Sequence, residues 1–64
     1  MKVLITGATS DLGRAVASEL ASDHELRLTD AVDAADLDAG EYIRADVRDA
    51  DAAATLVAGV DAVI

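Results

Sequence analysis

Cysteine, phenylalanine and tryptophan are absent from this 64-residue sequence, and lysine, methionine, tyrosine and histidine occur once each. Without cysteine no disulfide can staple the chain, and nothing in it speaks for an oxidising compartment. Also missing is a basic segment followed by a long apolar stretch, so no secretory leader is read at the start and a cytoplasmic location is the default expectation. The longest uncharged apolar run, Ala52 to Val60, falls far short of the roughly 20 residues that a membrane helix requires. Basic residues are scarce as well: thirteen acids face five bases, for a net charge of −8. Such a surface repels nucleic acid phosphates and anionic lipid, which excludes both as expected partners. Ten of the acids are aspartate. With apolar residues that are mainly Ala, Val and Leu, this balance suggests a surface adapted to salt.

Length sets a second bound. Domains run to about 100–150 residues, and a chain of about 60 residues buries only about 60% of the surface that it exposes when unfolded. The sequence is therefore expected to be part of a single domain, residues 1–64 forming one portion of it.

Hydrophobic periodicity then orders the elements. Val3 to Thr6 is a short, partly β-branched apolar run ending at Gly7, as in a strand buried on both faces. From Leu12 to Ala21, Leu12, Ala15, Val16, Ala17 and Leu20 fall at helical spacing and leave Arg14, Ser18 and Glu19 for the outer face. Glu25 to Asp30 alternates like a strand after a polar break at Ser22, Asp23 and His24. Ala31 to Gly40 has no sustained period and reads as a loop, with room for one helical turn. Glu41 to Ala45 is a strand around Tyr42 and Ile43, and Asp49 to Ala58 a helix with Asp49 as N-cap and Gly59 as C′ residue. Val60 to Ile64 opens a further strand. Strands alternating with helices in the order β-α-β-loop-β-α-β predict a parallel sheet with right-handed crossovers.

The chemistry concentrates in the turn from Thr6 to Gly13, between the first strand and the first helix. Gly7 can take the dihedrals of a sharp turn and lets a ligand approach the backbone closely. Gly13 lets the helix lie against the first strand and leaves its N-terminus uncovered, where free amides and the helix dipole stabilise a pyrophosphate. Ser10 occupies the middle glycine position of the dinucleotide fingerprint and can cap the helix or donate to a phosphate; Asp11 puts a carboxylate beside that anion. Taken alone, the turn fits either phosphate binding or a plain turn with a capped helix. Asp30, closing the second strand, tips the balance: a carboxylate there can accept from adenosine ribose hydroxyls and repels a 2′-phosphate, favouring NAD over NADP. Arg14 and Arg27 are the candidate partners of a 2′-phosphate, yet Arg14 is expected to face solvent and Arg27 lies within a strand.

With these residues in view, the chain resembles the extended short-chain dehydrogenase/reductase family, in particular its NAD-dependent epimerase/dehydratase branch. Thr6-Gly7-Ala8-Thr9 followed by Leu12-Gly13 is similar to that family's Thr-Gly-x-x-Gly-x-x-Gly turn, from which Ser10 departs, and Asp46-Val47-Arg48-Asp49 is similar to its Asp-x-x-Asp segment. The resemblance implies a Rossmann-type, three-layer, doubly wound parallel sheet, of which the N-terminal half is present. It implies an NAD site made by Gly7, Thr9, Ser10, Asp11, Leu12, Gly13 and Asp30, with Asp46 at the adenine amino group and Val47 beside the ring. It also implies a parent enzyme acting on a sugar-like substrate, nucleotide sugars included, and able to form a homodimer. The family's Tyr-x-x-x-Lys pair is not in the sequence: Tyr42, the sole tyrosine, is followed four residues later by Asp46 and reads as a packing residue.

His24 has no nucleophile arranged with it and reads as an exposed loop residue. Asp33, Asp36 and Asp38 lack the glycine and glutamate spacing of a calcium loop and read as a solvated segment. No catalytic residue and no metal ligand is therefore assigned. Two function classes follow: the cofactor-binding part of an NAD-dependent oxidoreductase, or a non-catalytic NAD(P) sensor of the same fold.

Overall fold

The computed structural model describes residues 1–33 and 37–64. The chain runs β1 (Lys2–Ile5), α1 (Asp11–Leu20), β2 (Glu25–Asp30), β3 (Glu41–Arg44), α2 (Ala50–Val57) and β4 (Ala62–Val63). The strands form one sheet in the order β3-β2-β1-β4. Every pairing is parallel: β1 sets Ile5 opposite Leu28, β2 sets Asp30 opposite Arg44, and β4 sets Val63 opposite Leu4.

Alternation along the strands sorts the core into two faces. On one, Val3, Ile5, Leu26 and Leu28 pack with Ala8 and with Ala17 of α1. On the other, Leu4 faces Ala53, Leu56 and Val57 of α2 across an apolar hollow of about 180 Å³. Helices thus cover both sides of a parallel sheet, the three-layer arrangement of a Rossmann-type fold. Leu4, Ile5, Leu28 and Leu56 are at most 2% exposed, and each such burial contributes roughly 1.5–3 kcal/mol.

Arg27 fixes the second layer. Its side chain leaves β2 on the α2 face, and one Nη1 donates to the carbonyls of Leu56 at 2.7 Å and Ala58 at 3.0 Å while Nε donates to Glu41 at 3.1 Å. The last carbonyls of a helix lack intrahelical partners and carry negative partial charge. The last turn of α2 has no basic residue of its own, so a cation from a neighbouring strand does that work. Arg27 is therefore committed to α2 and stands apart from any 2′-phosphate.

Asp49 caps α2 as the sequence indicates, accepting from the amides of Asp51 at 2.9 Å and Ala52 at 3.2 Å. The helix ends in a tight turn in which the Val60 amide donates to the Val57 carbonyl at 3.1 Å, with Gly59 at φ 75°. That turn delays β4 to Ala62.

Two expectations need correction, the buried face of α1 and the exposure of His24. Leu12 (76% exposed) and Ala15 lie outside the buried stripe of α1, while Arg14 is half-buried. The stripe begins at Gly13, continues through Val16 and Ala17 and ends at Leu20; because glycine adds nothing to an apolar pattern, the sequence placed the phase one position early. His24 is also more enclosed than a loop residue: its Nδ1 is buried with no hydrogen-bond partner among the described residues. Within the loop after β2, the aspartate at 36 lies outside the described residues, and Asp33 and Asp38 are exposed.

Candidate functional site

Parallel strands with helical crossovers bring the C-terminal ends of β1, β2 and β3 to one edge of the sheet, where such folds bind ligands. The turn leaving β1 is bound to that edge: the Ala8 amide donates to the Thr29 carbonyl at 3.0 Å, and Ala8 is fully buried. Gly7 has φ 61°, in the left-handed region that side chains rarely adopt. Gly13 is required for a different reason. A Cβ there would stand 2.9 Å from the Ala8 Cα and closer still to the Gly7 carbonyl oxygen, so only a bare backbone lets α1 start against this turn.

Ser10 is the N-cap. With φ −71° and ψ 161°, its Oγ accepts from the Gly13 amide at 3.1 Å and donates to the Gly7 carbonyl at 2.7 Å. One hydroxyl thus ties together the two glycines on either side of it, and serves the turn that a glycine serves in the fingerprint. Ser10 takes the third amide of α1 and leaves those of Asp11 and Leu12 without a partner among the described residues. Both residues are exposed, and the first amides of a helix point outward along its axis at the positive end of the helix dipole. Arg14 folds back over the turn, its Nε donating to the Thr9 carbonyl at 3.0 Å.

Asp30 is joined to the same turn. Its Oδ2 accepts from both the amide (3.1 Å) and the hydroxyl (2.5 Å) of Thr9, and its Oδ1 accepts from the Ala31 amide at 2.8 Å. The Thr9 hydroxyl, then the Ala31 amide, hold its carboxyl below the usual carboxylate range. It is ionised at neutral pH.

A cleft of about 240 Å³ opens between these strand ends, lined by Thr6, Gly7, Asp30, Ala31, Ala45, Asp46 and Val47. Complete small-molecule sites measure about 300–1,000 Å³, so this one suits part of a ligand. Asp46 at its wall is gripped by Arg48, which donates from Nε at 3.0 Å and from Nη2 at 2.8 Å in a fork, together with its amide at 2.9 Å. The fork, ahead of the amide bond, lowers the Asp46 carboxyl to about 2. Val47 is half-exposed at 51% and offers an apolar surface beside it.

Of the residues singled out in the sequence, Gly7, Asp30, Asp46 and Val47 line one cleft. Thr9 reaches it through Asp30, and Ser10, Asp11, Leu12 and Gly13 form the turn and helix start that continue from Gly7. Thr6, Ala31, Ala45 and Arg48 were not anticipated. Thr6 and Arg48 sit inside the two quoted motifs, which was the available signal; Ala31 and Ala45 follow strand ends and carry no chemical mark. Tyr42, half-buried, donates its hydroxyl to the Val32 carbonyl and fastens the loop after β2.

No protein-family model matches the chain, and no curated protein matches it either. Solved structures do. Uronate dehydrogenase from Agrobacterium tumefaciens superposes with a TM-score of 0.86 at 34% identity, over 97% of this chain and 24% of that one. A tyrosine-to-alanine variant of the same enzyme, complexed with NAD, gives the same values. A mutated uronate dehydrogenase gives a TM-score of 0.84 at 33% identity, over 97% of this chain and 23% of that one. The chain thus spans about a quarter of the length of the enzymes it matches.

Proposed function

We propose that the chain is the adenosine- and pyrophosphate-binding portion of an NAD-dependent oxidoreductase of the extended short-chain dehydrogenase/reductase family. The observation that carries this reading is the start of α1: two amides with no partner among the described residues, behind a turn where Gly13 admits no Cβ, next to a cleft walled by Asp30. An anion held there gains from the helix dipole and from donors already aimed at it, with little to reorganise. The likeness to an NAD-complexed uronate dehydrogenase supports the choice of ligand.

In this assignment Gly7, Ser10, Asp11, Leu12 and Gly13 form the pyrophosphate cradle through backbone and turn. Asp30, with Thr9 behind it, meets the adenosine ribose, and its negative charge opposes a 2′-phosphate, which favours NAD over NADP. Asp46 and Val47 flank the adenine. The exposed Asp11 carboxylate opposes the pyrophosphate, an effect that solvent and salt screen at such a position. NAD, when bound, supplies the hydride acceptor; no residue among the 64 is assigned a step of that chemistry, and the substrate-binding and catalytic part of the domain is placed outside them. Among the reactions of the family, the matched uronate dehydrogenases favour oxidation of a sugar acid over epimerase or dehydratase chemistry.

Thermal unfolding with and without NAD tests the binding. A ligand that binds only the folded state at a hundred times its Kd stabilises it by about 2.7 kcal/mol, so a clear rise in Tm is expected with millimolar NAD and a smaller one with AMP. An unchanged Tm removes the reading. The reaction class is tested with the complete protein, by following NADH formation with uronates against nucleotide sugars.

A further inference from the structure

Asp30 offers a ligand less than a free carboxylate would. A carboxylate has about four acceptor positions on its two oxygens. On Oδ2 both are filled by Thr9, through its amide and its hydroxyl, and on Oδ1 one is filled by the Ala31 amide. One acceptor position is left, on Oδ1, and Asp30 itself stands at the wall of the cleft. The two backbone donors belong to the fold. The Thr9 hydroxyl is the one donor of the three that a side-chain change can remove without altering the backbone.

We infer that Thr9 is a positioning residue that sets how many ribose hydroxyls Asp30 can read, closing Oδ2 so that the carboxylate accepts from one hydroxyl of the adenosine ribose and not from both. The inference rests on the cofactor reading above. The Thr9 side chain does two things at once: it fixes the carboxylate's orientation, and it adds a side-chain bond to the backbone bonds that already tie the turn to the end of β2. With the hydroxyl gone, Oδ2 keeps the amide and gains an open acceptor position that a second ribose hydroxyl can take.

The experiment measures affinity of the full chain for NAD and for two analogues that lack either the 2′- or the 3′-hydroxyl of the adenosine ribose. The proteins are the wild type, Thr9→Val and Thr9→Ser. In the wild type, loss of one hydroxyl is expected to weaken binding at least about tenfold, the worth of a hydrogen bond to a charged acceptor, and loss of the other less than about twofold. Thr9→Val, which keeps the shape and removes the donor, should make both hydroxyls count. Thr9→Ser, which restores the donor, should return the unequal pattern. A general loosening of the turn would weaken all three ligands together and leave the pattern unchanged, so an unequal pattern that persists in Thr9→Val overturns the inference. Equal dependence on both hydroxyls in the wild type also overturns it, while the cofactor reading stands. If the wild type binds none of the three ligands, the cofactor reading falls and the inference with it.

Discussion

Replacing Arg27 with methionine isolates the contact that holds the two layers of this small fold together. Methionine keeps the length of the side chain and its apolar stem but removes the donors to Leu56 at 2.7 Å, to Ala58 at 3.0 Å and to Glu41 at 3.1 Å. A hydrogen bond from a charged group contributes about 1.5–3 kcal/mol, and a partly buried cation at a helix C-terminus up to about 2 kcal/mol. These describe overlapping aspects of one interaction, so they are not added in full; a loss of about 2–4 kcal/mol is expected. The Glu41 pair supplies little of it. That carboxylate is 58% exposed against 12% for the arginine, and pairs of that kind contribute about 0–1 kcal/mol. A fold of this size has only about 3–5 kcal/mol to lose. Urea unfolding followed by far-UV circular dichroism should therefore find that Arg27→Met has lost more than half of its stability, with its midpoint moved far towards zero urea, and that Glu41→Gln stays close to the wild type. If Arg27→Met matches the wild type within about 0.5 kcal/mol, the carbonyl contacts hold nothing and the reasoning fails.

Other perturbations give equally direct readouts. Asp30→Ala should raise affinity for NADP relative to NAD, because the charge that opposes a 2′-phosphate is gone; an unchanged ratio in paired titrations would reduce Asp30 to a structural acid. Acid should destabilise the fold through Asp46, whose folded carboxyl lies at about 2 against 3.8 for a free one. A depressed folded value stabilises above about pH 4, and that contribution is lost as the pH falls towards 2. Asp46→Asn should flatten this part of a stability–pH curve, and an identical curve would refute the Arg48 fork as its cause. Finally, a net charge of −8 should make helicity and Tm rise from low salt to molar KCl as self-repulsion is screened. A Tm that is flat or falls with salt would contradict the salt-adapted surface.

Local pattern made most of the elements legible. β2 spans Glu25–Asp30 as its alternation indicates, and Asp49 and Gly59 bracket α2 where cap chemistry places them. The glycine turn between β1 and α1 is legible because its requirements are local: a positive φ at Gly7 and a bare Cα at Gly13. What escaped depends on distant partners. Arg27 looks like an ordinary outward position of a strand, and nothing near it reveals carbonyls that lie some thirty residues on. The bond between Thr9 and Asp30 joins residues 21 apart, and only the parallel pairing of β1 with β2 brings them together. Leu12 falls outside the buried stripe because the sheet contact of α1 begins at Gly13, one residue later, where no apolar side chain marks it.

Backbone amide chemical shifts recorded with and without NAD address the start of α1 most directly. Saturating NAD should move the 15N and 1H resonances of Asp11 and Leu12 most, with Gly7, Thr9 and Asp30 next, as those two amides meet a phosphate oxygen. If those two amides stay in place while resonances elsewhere move, or if nothing moves, the helix start holds no pyrophosphate.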